Sequence, residues 1–60
     1  MFSEFLITVR DRIRDWECTT LFTDKNEEAA KAQSLSYYSE ALDRPLSDLS
    51  IISVYNMALA

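Results

Sequence analysis

Glycine does not occur once in the sixty residues of this chain. Average usage predicts roughly four in a chain of this length, so the lack is a real deviation. Glycine supplies the positive-φ positions of tight hairpins and many helix ends. A chain without it is expected to be helical with short loops. The same absence removes the Gly-rich phosphate loops of dinucleotide- and nucleotide-binding folds and the G-x-S-x-G nucleophile elbow. Histidine is absent too, which takes away the commonest general base and the commonest transition-metal ligand. These two gaps point away from an enzyme.

Apolar patterning gives three segments. In the first, Phe2, Phe5, Leu6, Val9, Ile13 and Trp16 are spaced as one face of a helix over 3–18, with Ser3 as its N-cap. The competing reading is a strand over 5–9, which is rich in β-branched residues. In the second, Asp24 followed by Glu27 forms a capping-box-like start, and Glu28 adds a second anion to the first turn. Ala29, Ala30, Ala32 and Ala41 favour a helix over 25–42, with Ala32, Leu35, Tyr38 and Leu42 as its apolar stripe. Asp43, Arg44 and Pro45 end it, and Pro45 is suited to open the next. The third helix is expected over 46–59, with Leu46, Leu49, Ile52, Asn56 and Leu59 along one side. The run Ile51, Ile52, Ser53, Val54 admits a buried strand instead. The spacing therefore predicts an all-α fold, a compact three-helix domain spanning 1–60 and dimerising through apolar helix faces.

Size and charge bound what such a domain does. Sixty residues bury a thin core. Cys18 is the only cysteine, so neither an intrachain disulfide nor a Cys/His zinc site is available to reinforce it. Association with a second copy is the remaining remedy, and a homodimer is expected. The formal net charge is −4, which argues against direct nucleic-acid binding. Glu4 and the arginines at 10, 12 and 14 interrupt the first apolar segment, so no leader and no membrane span are read. An unpaired cysteine suits a reducing, cytoplasmic setting.

Few residues stand out as sites. Arg10, Arg12 and Arg14 alternate with Asp11 and Asp15, and an ion-paired, solvated face explains them better than a phosphate strip. Asp24, Glu27 and Glu28 lack the spacing of a calcium loop. Glu40 and Asp43 have no apolar surroundings to shift a pKa. Cys18 reads as a small apolar filler. The segment 45–60 has the Leu-rich opening of a helix-turn-helix but no arginine, lysine or glutamine to read bases. Of the adjacent tyrosines, Tyr38 lies on the apolar stripe and Tyr37 is left to meet a partner. The expectation is a small acidic protein-binding module, a regulator, inhibitor or assembly subunit, without cofactor or metal. Its partner-binding residues would be Tyr37, Leu49, Ile52 and Tyr55. The alternative is an acidic nucleic-acid mimic acting through Glu27, Glu28 and Glu40.

Overall fold

In the computed structural model, which describes residues 1–57, strand β1 (Ser3–Asp11) lies at the centre of a three-stranded antiparallel sheet ordered β2-β1-β3. Strand β2 (Trp16–Asp24) returns beside it through a hairpin, helix α1 (Glu27–Leu42) crosses one face, and strand β3 (Leu49–Asn56) pairs on the other side of β1. A 3-10 turn, Leu46–Asp48, leads into β3. Both outer strands are antiparallel to β1 and hence parallel to each other, so α1 is the crossover that parallel strands require. The all-α expectation is overturned, and with it the association of helix faces that rested on it. Of the three expected helices only the middle one is found among the described residues, and Leu59 lies outside them.

The physical reason is visible in β1. Phe5, Ile7, Val9 and Asp11 point to the helix and are buried, while Glu4, Leu6, Thr8 and Arg10 alternate to the other side. That is period two, the strand signature. Leu6, Ile13 and Trp16 mask it by completing a helix-like spacing, although Ile13 is an exposed turn residue. In β3 the mask is a bulge. Thr8 opposes Ser53 while Val9 opposes Ile51, leaving Ile52 as the extra residue. Leu49, Ile51 and Val54 therefore all meet the core without strict alternation.

Aspartate takes the positions assigned to glycine. In the β1–β2 turn, residues 12–15, Asp15 adopts φ 52°, and at the C-cap of α1 Asp43 adopts φ 53°. Aspartate tolerates this left-handed region better than most residues, so a hairpin is possible with no glycine at all. The Asp11 carboxylate completes the turn by accepting from the amides of Ile13 (3.0 Å) and Arg14 (3.1 Å). The N-cap of α1 is Asn26, whose side chain accepts from the Ala29 amide at 2.8 Å, in place of the expected Asp24. Ala30, Ser34 and Tyr38, one face of α1 at i, i+4 and i+8, are buried against the sheet. Their small leading members let the helix sit close. The core is Phe5, Ile7, Val9, Phe22, Ala30, Tyr38 and Leu49. No helix among the described residues is long and apolar enough to cross a membrane.

Candidate functional site

Helix α1 covers one face of the sheet, and no element among the described residues covers the opposite face. The register arranges that face in rows. Leu6 sits between Leu21 on β2 and Tyr55 on β3, Thr8 between Thr19 and Ser53, and Arg10 between Glu17 and Ser50. The first row is apolar, with Leu21 46% and Tyr55 52% exposed. The second row carries hydroxyls, Thr8 and Thr19 sharing a hydrogen bond of 2.7 Å. The third is charged: the Arg10 guanidinium donates to Glu17 at 3.2 Å and also to Asp15. Those acids hold the Arg10 pKa above its ordinary value, the hydrogen bond to Asp15 contributing most. Beside the rows, Ile52 at the bulge is 52% exposed. The surface thus grades from apolar to charged along the strands.

The hairpin end is different in kind. Arg14 bridges Asp11 (3.1 Å) and Asp48 (3.4 Å). Arg12 donates from its guanidinium to the Ser47 carbonyl. Burial pushes the Asp11 carboxyl upward, but the amides of Arg14 and Ile13 and the Arg14 guanidinium outweigh it and leave the pKa below the ordinary 3.8. Every arginine of this hairpin is engaged by oxygen acceptors, which leaves the cluster structural. A depression of about 240 Å³ beside it is lined by Asp11, Arg14, Trp16, Leu42 and Arg44, smaller than the roughly 300 Å³ at which small-molecule sites begin. A wider groove of about 540 Å³ runs by Ser39, Glu40, Arg44 and Pro45 and is open to solvent. Among the described residues no three or more His, Cys, Asp or Glu side chains gather as metal ligands.

The expected partner residues are divided by this architecture. Ile52 and Tyr55 share β3 and are exposed. Leu49, on the same strand, is 6% exposed and belongs to the core. Tyr37 is on α1, 54% exposed, with its ring edge-on to Phe22 at 5.9 Å and Tyr38 at 5.1 Å. Tyr38 is buried and bonded to the Thr20 hydroxyl. Burial above all, with a contribution from Cys18, raises its phenol pKa above 10.0. Of the acids, Glu27 (3.4 Å) and Glu28 (3.3 Å) pair with Lys31. Glu40 lies about 220° further round the helix from Glu27, at 3.6 residues per turn, so the three carboxylates form no common field. Leu6 and Leu21 were not expected at an exposed site. Their signal is the alternation of Leu6, Thr8 and Arg10 against Phe5, Ile7 and Val9, which acquires meaning once the segment is a strand. No family model matches the chain, and neither does any curated protein or solved structure.

Proposed function

We propose that this chain is a non-enzymatic protein-binding module, a regulator, inhibitor or assembly subunit, whose contact surface is the helix-free face of the sheet. One observation carries the reading: the row Leu21–Leu6–Tyr55 crosses all three strands with none of the described elements over it. Antiparallel sheets that face water on one side ordinarily present polar residues there. An apolar row that includes a tyrosine, flanked by hydroxyls and a charged pair, has instead the core-and-rim composition of an interface. Exposed Ile52 enlarges the same surface. We place the protein in a reducing, cytoplasmic compartment, on its single unpaired cysteine. The helix acids support a nucleic-acid mimic less well, because two of them are held by Lys31 and the third faces elsewhere.

The test compares wild type with Ile52→Asp and Tyr55→Ala, and with Gln33→Ala on α1 as a control, as baits in extract of the native host. A protein retained by wild type and control, lost with both β3 variants and insensitive to salt supports the reading. Identical retention by all four baits, or release by moderate salt alone, overturns it, since screening acts on exposed charges and not on apolar contact.

A further inference from the structure

The two edges of the sheet are protected unequally. Strand β3 carries the Ile52 bulge, one of the devices that blunts an edge against further pairing. Strand β2 has no such device. Its nine residues pair with β1 in unbroken register, and from Cys18 to Thr23 it holds no charge and no proline. Its outer row of backbone amides and carbonyls is a template for another strand.

We infer that β2 pairs antiparallel with the β2 of a second copy of this chain, about a two-fold axis at Leu21, to give a continuous six-stranded sheet. Charge complementarity selects this register. A two-fold axis at Leu21 sets Glu17 opposite Lys25 of the second copy, twice in the dimer, and Leu21 opposite Leu21. Glu17 and Leu21 occupy alternate positions of β2 and so share the uncovered face, and Lys25 directly follows the last residue of the strand. Thr19 then meets Thr23, a pair that also suits a sheet. On the helix side Thr20 meets Phe22, against which the exposed Tyr37 ring already stands. Two-fold closure uses each β2 edge once and leaves the bulged β3 edges outside, so the assembly stops at two. This self-interface shares Leu21 with the partner face proposed above, but Ile52 and Tyr55, on which that face is tested, lie on the far strand.

The experiment is sedimentation of the whole chain at about 100 µM, where mass action favours a dimer, with circular dichroism confirming the fold of each variant. Wild type is expected at twice the 6.9 kDa of one chain. Leu21→Lys sets two cations opposite each other at the axis and is expected to give a folded monomer. Glu17→Lys and Lys25→Glu each replace opposite charges by like ones in both copies of the pair and are expected to weaken the dimer about tenfold. The double exchange, Glu17→Lys with Lys25→Glu, is expected to restore it. Within one chain Glu17 lies near the start of β2 and Lys25 just beyond its end, so restoration reports contact between copies. A monomeric wild type, a dimer indifferent to Leu21→Lys, or a double exchange that fails to restore association each overturns the inference. A result of this kind leaves the Ile52 and Tyr55 test of partner binding unaffected.

Discussion

The backbone amide of Arg12 donates to the carbonyl of Asp48 at 2.9 Å, joining the β1–β2 turn to the turn that opens β3. The Arg14 guanidinium reinforces the junction by bridging the carboxylates of Asp11 and Asp48. Asp11 also stands opposite Leu49 in the β1–β3 ladder. The register of the last strand is therefore anchored beside the first turn, and a buried carboxylate is the centre of that anchor.

Acid should loosen this end first. The folded-state pKa of Asp11 lies below its ordinary value of 3.8, so its contribution to stability is complete above that value and is lost as pH falls through the lower folded value. Urea midpoints measured from pH 6 downward should hold and then drop below about pH 4. In Asp11→Asn the midpoint should be lower at neutral pH and that part of the acid drop should disappear. Parallel acid limbs for wild type and Asp11→Asn would place the titrating group elsewhere.

A second expectation concerns the middle of the core. Ile7 has no exposed surface and lies between Thr20 and Val54 under α1. Ile7→Ala should cost about 2–5 kcal/mol. Stability scales at roughly 0.05–0.15 kcal/mol per residue, about 3–9 kcal/mol for a chain of this length, so the variant should lose a large part of its stability and unfold at a much lower urea concentration. Ile7→Val should cost only about 1 kcal/mol and stay folded. Equal urea midpoints for the two would mean that the site collapses around the missing atoms.

How much of this was legible beforehand differs by element. Helix α1 announces itself through four alanines, two acids in its first turn and the stop at 43–45, because those signals are local. The strands depend on partners far along the chain, and their local patterns are ambiguous. Leu6 is apolar on a face that would otherwise read as polar, and it converts alternation into a continuous run. Ile52 does the same at the bulge, where an inserted residue shifts the phase of everything after it. Leu6 and Ile52 are thus both the residues that obscured the strands and residues of the candidate interface. Tyr55 was already a candidate contact residue in the sequence and Leu21 was not, since the place of Leu21 beside Leu6 is fixed by hairpin register. The missing glycine misled for a chemical reason: Asp15 and Asp43 fill left-handed positions in its stead.

That substitution can be read out directly at the helix end. Asp43 holds φ 53° and ψ 55° at the C-cap of α1, and its carboxylate sits at the negative end of the helix dipole. Asp43→Gly removes both costs and should stabilise the protein by about 0.5–1 kcal/mol, raising Tm by about 4 °C or more for a domain this small. Asp43→Val should lower Tm, because a β-branched residue resists this region. A loss of stability in the glycine variant would mean that the carboxylate makes a contribution larger than its strain.

The sharpest contrast lies within β3, between two residues three apart. Leu49 packs in the core with Val9 and Tyr38, whereas Ile52 at the bulge is exposed. A helix over 46–59 would have placed both on one side and made aspartate equally harmful at either. On the strand the two substitutions separate. Leu49→Asp leaves a buried charge without a partner, at a cost of several kcal/mol, and the far-ultraviolet dichroism should be that of an unfolded chain. Ile52→Asp should keep the wild-type spectrum and a urea midpoint close to it, because its side chain remains in water. What Ile52→Asp should lose is association with the partner of the uncovered face, where one carboxylate would be desolvated on binding. An unfolded Ile52→Asp would put that side chain in the core and remove the bulge from the account of β3. A folded variant that binds as wild type does would move the interface off this face.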